Sequence, residues 1–354
     1  MKLADLTSRT SKWLRGIGPM HDIVVSSRVR LARNIAGFPF LSRCEDQHLE
    51  TLKERLKGEI LSANLFKECL YIDMNDLSRL DSKLLLERHL ISREHHKKTH
   101  SRGVVINSSE TASIMINEED HLRIQVLASG LELQSAFDRI NKIDDEISSK
   151  VEYAFSSKLG YLTACPTNVG TGMRVSVMLH LPAMRLTNQL DHAFRAAADM
   201  RLAVRGIYGE GSEALGDFFQ ISNQITLGVS EQEILEQFLS TFVPEILTYE
   251  RTARDILMRN HTTETEDKIY RSLAVLQSAR TISTEEAMFL LSMVRLGVNV
   301  KRIEGISLKR LNEISVLIQP AHLQKINGDQ YQNKLSRSIL RANFLRKSFA
   351  EVTV

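Results

Sequence analysis

The stretch Cys165-Pro166-Thr167-Asn168-Val169-Gly170-Thr171-Gly172-Met173-Arg174 constrains the fold of this chain more than any other. A short apolar run, Tyr161 to Ala164, leads into it, and a strand-like run, Val175 to Leu181, leads out. Two glycines and a proline mark a tight loop whose backbone comes close to something. Cys, Thr and Asn put small polar groups into that loop. Arg174 at its exit adds a fixed positive charge with a planar fork of donors. Such a loop suits a phosphate or a carboxylate. It also suits an ordinary turn between strands with a small buried cysteine, and glycine spacing alone does not separate the two.

At 354 residues the chain has room for about two domains. With 43% hydrophobic and 25% charged residues it has the balance of a soluble globular protein with ample core. A net charge of +3 gives no strong drive toward nucleic acid or membrane. Cys44, Cys69 and Cys165 are widely spaced and odd in number, so neither a disulfide framework nor a metal site is expected, and a reducing cytoplasm fits. Met1 to Ile17 lacks the apolar core of a signal peptide, and no apolar run is long enough to span a bilayer.

Residues 1–21 read as a short polar lead. Ile23 to Leu31 then alternates in its second half like a strand, with Arg28 and Arg30 on one face and Val29 and Leu31 on the other. A solvated face is the usual fate of such arginines. Residues 46–62 read as an amphipathic helix, and Lys83 to Leu90 as a short helix carrying His89. Val104–Ile106 and Ser113–Ile116 look like paired strands. The acids Glu118, Glu119 and Asp120 follow, either as a charged turn or as a carboxylate cluster facing a cation, with Arg123 on the next strand. A long helix over 131–155, a helix from His192 to Met200, a glycine-spaced turn from Arg205 to Gly211 and a hairpin over Phe218–Gly228 come next. Ser230 and Glu233 make a capping box for a helix to about Arg259, kinked at Pro244. Helices over 264–280, 284–296, 307–318 and 332–349 complete the chain. The expected class is therefore α+β over residues 22–253, followed by an all-α unit over residues 254–354. The amphipathic 284–296 helix offers a buried or dimer face.

Arg28, Arg30, Arg123, Arg174 and Arg205 all sit on or beside strands and loops of the mixed unit. Five fixed cations cannot share one cleft without anions between them, and a nucleoside triphosphate is the natural guest. There is no GxxxxGK[ST] loop, and the Gly-rich loop, HRD and DFG pieces of eukaryotic-type protein kinases do not occur. In a kinase of this kind, arginines replace the glycine-loop cradle and separate acids, Glu119 and Glu210, handle the acceptor. Spacing does not prove that the five converge.

Four blocks resemble the motifs of the phosphagen (guanidino) kinases: Ser26-Ser27-Arg28-Val29-Arg30, Asn117 to Arg123, Cys165 to Gly172, and Ile221-Ser222-Asn223. Their order and spacing match over about residues 22–253, and the Cys-Pro-Thr-Asn loop is highly specific. The resemblance implies an antiparallel sheet flanked by helices, similar to glutamine synthetase, and the use of ATP with Mg²⁺. It implies nucleotide contacts from Ser26, Ser27, Arg28, Val29, Arg30, His89, Arg123 and Arg174. Val175, Ser176, Val177 and Met178 belong to the same set, as do Arg205, Gly206, Ile207, Tyr208, Gly209 and Glu210. His89, the weakest match, would lie near adenine or ribose. Glu119 and Glu210 would grip the acceptor guanidinium, Asp120 would support them, and Cys165 would help position the guanidinium or tune its charge.

The chemistry agrees with these roles. A guanidinium, with a pKa above about 12, is a poor nucleophile while protonated. Two carboxylates orient its fork and accept the proton. Arginines and Mg²⁺ stabilise charge on the transferring group. Nearby cations favour a thiolate at Cys165; a merely buried small residue is the other reading.

Within the family the chain most resembles the bacterial members that phosphorylate arginine side chains of proteins and mark them for Clp proteases. Small-molecule guanidino kinases have a helical domain before the Ser-Ser-Arg-Val-Arg block; here 25 residues precede it, too few for an independent domain. Helices follow the catalytic part instead, and Tyr208 stands where the small-molecule enzymes usually carry another arginine. The resemblance implies protein substrates with exposed arginine, a Clp ATPase or protease partner, an activator protein, a homodimer, a stress-response role and a cytoplasmic location. Arg337-Ser338-Ile339-Leu340-Arg341-Ala342 resembles an Arg-Asp-x-x-Arg-Ala element for allosteric phosphoarginine binding. Arg337 and Arg341, one helical turn apart, suit a phosphate, but Ser338 removes the acid that would meet the guanidinium. Two arginines on a solvated helix face are the other reading. Two rival functions remain. One is a kinase of free arginine or another small guanidino compound. The other is a non-catalytic adaptor, which would be expected to have lost matched arginines or acids.

Overall fold

Eight strands form one antiparallel sheet in the order β2-β3-β4-β5-β1-β8-β10-β9. They are β1 (Val24–Arg33), β2 (Cys69–Asp73), β3 (Gly103–Asn107), β4 (Ala112–Ile116), β5 (Leu122–Ser129), β8 (Met173–His180), β9 (Leu202–Gly206) and β10 (Phe218–Asn223). A small ribbon, β6 (Phe155–Ser156) with β7 (Gly160–Tyr161), stands apart from the sheet. This computed structural model describes residues 3–7, 9–206, 215–328 and 333–354.

Alternation decides which face of the sheet is dry. Val29 and Leu31 on β1, Ile124 and Val126 on β5, and Val175 and Val177 on β8 are at most 1% exposed. They pack in one core with Leu133, Ala136, Ile140 and Ile147 of α4 (Leu133–Ser148), and with Leu52 and Leu56 of α1 (Asp46–Ser62). Each fully buried Val, Leu or Ile there contributes roughly 1.5–3 kcal/mol. The opposite face carries the polar residues of the same strands.

The remaining helices are α2 (Arg79–Glu87), α3 (Arg93–Lys97), α5 (Pro182–Leu186), α6 (Leu190–Asp199), α7 (Glu231–Glu236), α8 (Val243–Asn260), α9 (Thr262–Ser278), α10 (Thr284–Asn299), α11 (Leu308–Leu317), α12 (Pro320–Ile326) and α13 (Lys334–Ser348). Helices α9, α10, α11 and α13 share a second core, built on Ile269, Leu273, Leu291, Val294, Ile314 and Phe349. Val25 and Phe218 of the sheet join that core, so the helical region sits directly on the strands.

Several local expectations change. The helix before His89 ends at Glu87, and His89 takes a left-handed φ of 58°. The long helix starts at Leu133 and ends at Ser148, with Val151 buried just beyond it. Residues 218–228 are not a hairpin: β10 pairs with β8 and β9, and the following segment turns away. The Ser230–Glu233 capping box is present. The expected kink at Pro244 is a π-helical stretch, Gln237–Phe242, that enters α8 with Pro244 in its first turn. The lead is not merely polar, because Trp13 and Leu14 are 5% and 4% exposed in a 3₁₀ turn.

Candidate active site

Strand register brings the five arginines to one face. Arg30 on β1 pairs with Arg174 on β8, and Arg28 pairs with Ser176. On the other side of β1, Ala32 pairs with Arg123 of β5. Arg205 on β9 pairs with Gln220 of β10, and Gln220 Oε1 accepts a 2.6 Å hydrogen bond from Arg28 Nη2. All five line one cavity of about 680 Å³, together with Glu118, Glu119, Asp120 and Cys165. Burial and the neighbouring cations Arg123, Arg174 and Arg205 push the Arg28 guanidinium down to about 9. Burial and the same neighbours, with Arg28, push Arg30 down further. Nε and Nη2 of Arg30 are buried without an acceptor among the described residues. Buried donors of this kind are costly unless an anion satisfies them.

The three acids divide into three roles. Glu118, 1% exposed, accepts two 2.9 Å hydrogen bonds from Arg123 Nη1 and another from Ser92 Oγ. Burial opposes its charge, but Arg123 and Ser92 outweigh burial and hold its carboxyl at about 2. Burial likewise lowers Arg123, and Glu118 overcomes it, so Arg123 stays firmly charged. Asp120 is buried and works as a strut: its Oδ1 accepts 2.6 Å bonds from Asn34 Nδ2 and from the Ala164 backbone N–H. Glu119 is only half-buried and lines the cavity. Burial, then the charge of Glu118, raises its pKa.

The Cys165 loop is held from both ends. Asp120 anchors Ala164, and Thr226 Oγ1 donates to the Thr167 and Val169 carbonyls at 2.9 and 2.7 Å. Gly170 has φ +111°, and a Cβ there would lie 2.1 Å from the Thr226 carbonyl oxygen. Gly172 has φ +62° and lies against the Ala32 carbonyl. Both positions therefore require glycine. Asn223 fixes the strand that leaves the loop, accepting from Val175 N and donating to Met173 O. Cys165 is half-buried, with Sγ 3.0 Å from Thr167 Oγ1.

Other expected site residues are placed differently. Val29, Val175 and Val177 alternate into the apolar core, so their side chains do not face the cavity. Ser27 Oγ donates to Gly130 O and accepts from Glu132 N at the start of α4. Ser26, Ser176, Met178 and His89 line a smaller adjoining cavity, with Arg28. Burial and Arg28 push His89 down to about 3, so its ring is neutral. Gly206 ends β9; Ile207, Tyr208, Gly209 and Glu210 lie outside the described residues.

Arg337, Ser338, Arg341 and Ala342 lie on α13, apart from the cavity lining. Arg341 is buried, with Nε on Ile318 O and Nη1 on Ile282 O, both at 2.9 Å. Ala342 is packed in the helical core and Ser338 O accepts from Ile282 N. Arg341 thus ties helix ends together, which limits its freedom to clamp a phosphate. The sequence offers Glu118 only as one of three acids facing a cation, which the structure identifies as Arg123, and it gives no signal for Asn34, whose role depends on tertiary partners. Strand alternation on β10 would have flagged Gln220.

Comparison with known proteins places the chain in a family. Residues 51–253 match the family described as ATP:guanido phosphotransferase, C-terminal catalytic domain. Residues 262–354 match the protein-arginine kinase McsB C-terminal domain. The fold resembles the duplicated taurocyamine kinase of Schistosoma mansoni with bound transition state analog components. That match has a TM-score of 0.61 and 27% identity, over 71% of this chain and 36% of that one. It also resembles lombricine kinase, with a TM-score of 0.56 and 25% identity over 70% of each chain. This is a phosphagen kinase fold carrying an additional helical region.

Protein-arginine kinases are similar over nearly the whole length. That of Halothermothrix orenii is 45% identical, covering 98% of this chain and 99% of its own. That of Pelotomaculum thermopropionicum is 44% identical over 97% of each. The chain belongs to the ATP:guanido phosphotransferase family and, within it, to the protein-arginine kinases.

Proposed function

We propose that this enzyme transfers the γ-phosphoryl group of ATP to arginine side chains of proteins. The observation that carries the reading is the five-arginine face, whose Arg30 donors have no acceptor among the described residues and which lines one cavity with Glu119 and Cys165. The arginines take the triphosphate oxygens and the charge that develops on the transferring group. Glu119 faces the acceptor, and its raised pKa makes it a better base than an ordinary exposed carboxylate. A guanidinium nitrogen attacks the γ-phosphorus as the bond to the β-phosphate oxygen breaks. The nitrogen's proton passes to Glu119, and ADP leaves. Glu210 is assigned the second acceptor contact by resemblance. Cys165 is assigned to position the guanidinium, on a loop that Asp120 and Thr226 hold still.

The described residues hold no group of three or more His, Cys, Asp or Glu side chains fit for a metal cage. Mg²⁺ brought in with the nucleotide would supply charge neutralisation at the phosphates. No helix of the described residues is long and apolar enough to cross a membrane.

The proposal extends to biology by resemblance. Residues 22–253 act as the catalytic unit and 254–354 as a helical unit for dimerisation and regulation. Phosphorylated proteins pass to a Clp protease during stress, in the cytoplasm, with an activator protein taking part. The decisive assay is transfer of acid-labile phosphate from ATP to an unstructured protein, with free arginine as competitor. Phosphoarginine on protein, little affected by excess free arginine, is the expected result. Labelling of free arginine alone would make the chain a metabolite kinase.

A further inference from the structure

A second, smaller cavity opens off the arginine cavity and shares Arg28, His89 and Gln220 with it. Its sheet-side wall is Ser26, Ser176 and Met178. Its far wall comes from outside the sheet: Trp13 and Leu14 of the lead, and Asn312, Ser315 and Val316 of α11. A cavity with guanidinium groups at one end and apolar side chains at the other suits a ligand with an anionic end and a flat, uncharged end. A nucleoside triphosphate is such a ligand. Assuming the proposed ATP chemistry, we propose that the N-terminal lead and α11 form one wall of the base pocket, making the C-terminal helical region part of nucleotide recognition.

Three observations support this. First, Trp13 is 5% exposed, yet its indole Nε1 has no acceptor among the described residues. A buried N–H without a partner is an expensive feature that a base nitrogen or sugar oxygen would relieve. The Trp13 ring also stands edge-on to His89, with centroids 5.5 Å apart and planes at 83°.

Second, the wall is pinned together. Asn312 donates from Nδ2 to Leu14 O at 3.0 Å and accepts from buried Arg295 at 2.6 Å. One side chain thereby joins the lead, α10 and α11.

Third, the segment that aims His89 is locked to the helical region. Glu87 accepts from the Ala321 and His322 backbone N–H groups at the start of α12. Arg88 makes a two-point ion pair with Glu110 and lies 3.3 Å from His322 Nε2. The left-handed backbone of His89 follows directly.

The small cavity measures about 40 Å³. That is room for about three waters, fewer atoms than a base contains. A base seated here would reach into the adjoining arginine cavity or displace the wall of Trp13 and α11. Displacement of that wall would couple occupancy to the position of the C-terminal helices.

The chain has a single tryptophan, so the pocket contains its own probe. The experiment is titration of the full-length protein with MgATP and separately with inorganic tripolyphosphate, following Trp13 emission and calorimetric binding. ATP should bind and change the emission, while tripolyphosphate binds with little change. Val316→Phe, which fills the cavity, should weaken ATP by about tenfold or more and leave tripolyphosphate within about twofold. Trp13→Phe keeps the ring and removes the donor, and should weaken ATP by about two- to tenfold with the same selectivity. It guards against misfolding of the first variant. ATP binding with unchanged Trp13 emission, or equal losses for both ligands, would overturn this wall while leaving the proposed kinase intact. Wild-type protein that binds neither ligand would overturn both.

Discussion

Arg30 on β1 stands directly opposite Arg174 on β8. Like charges in cross-strand pairs oppose folding by about 0.2–1 kcal/mol, and here buried donors of Arg30 lack an acceptor among the described residues as well. The sheet tolerates this arrangement because its other face is fully packed, and an anion between the two arginines would reverse the penalty. Arg30→Met should therefore leave the apoprotein as stable as wild type or slightly more so. The variant should lose the stabilisation that MgATP gives wild type, about 2.7 kcal/mol at a hundredfold excess over Kd. Denaturant midpoints with and without MgATP test both statements. A variant apoprotein weaker by more than about 2 kcal/mol would mean that Arg30 is structural.

Glu119 and Asp120 are adjacent, yet their substitutions should behave differently. Glu119→Gln removes a charge beside Glu118 and breaks no side-chain hydrogen bond among the described residues. It should spare stability and lower kcat by roughly 10²–10⁴. Asp120→Ala removes the acceptor of one Asn34 amide N–H and of the Ala164 N–H, costing about 1–3 kcal/mol, and frees the Cys165 loop. Paired melting curves and kcat values separate the two. Equal destabilisation by both would rule out the division of labour.

Much of this was legible because it depends on short periods. Arg28 and Arg30 alternate with Val29 and Leu31, and the helix expected over 46–62 has those bounds. Convergence of the five arginines was not legible from spacing, because it depends on register across β5, β1, β8, β10 and β9. The family resemblance carried that expectation. The helix expected to hold His89 failed because apolar periodicity continues to Leu90 while the backbone reverses at His89. The hairpin at Phe218–Gly228 failed because Thr226 bonds to the Cys165 loop instead of a strand partner. Trp13 was unreadable in a lead without periodicity, since its burial is set by β5 and α11, more than a hundred residues away.

Glu118 makes an acid-side prediction. Its folded pKa of about 2 lies below the ordinary 4.5. A depressed carboxylate adds stability that is present above the unfolded pKa and is lost as pH falls through the folded one. Wild type should thus lose up to about 3 kcal/mol between pH 4.5 and 2 from this group alone. Glu118→Gln should flatten that part of the stability–pH curve while weakening the protein at neutral pH, since Arg123 loses its partner. Unfolding curves from pH 2 to 7 provide the check, and parallel profiles for the two proteins would refute the assignment.

Two glycines of the Cys165 loop, set against Gly228 outside it, give the last test, because they differ in the space around them. Gly170, Gly172 and Gly228 all have positive φ, at 111°, 62° and 77°. An added Cβ meets the Thr226 carbonyl at 2.1 Å at Gly170 and the Ala32 carbonyl at 2.6 Å at Gly172, both backbone atoms that side-chain rotation cannot clear. At Gly228 it meets nothing within 4 Å. Gly228→Ala should therefore cost only the left-handed backbone term, about 1–2 kcal/mol. Gly170→Ala adds a steric clash and must either cost more than that or push the loop off Thr226. In either case Cys165 shifts, and a shift of about 1 Å at the reacting centre is enough to slow transfer by about a hundredfold. Gly170→Ala should lose activity out of proportion to its stability, whereas Gly228→Ala should keep its turnover at any temperature where it is folded. Matched activity losses in the two variants would mean that the loop's rigidity does not serve the reaction.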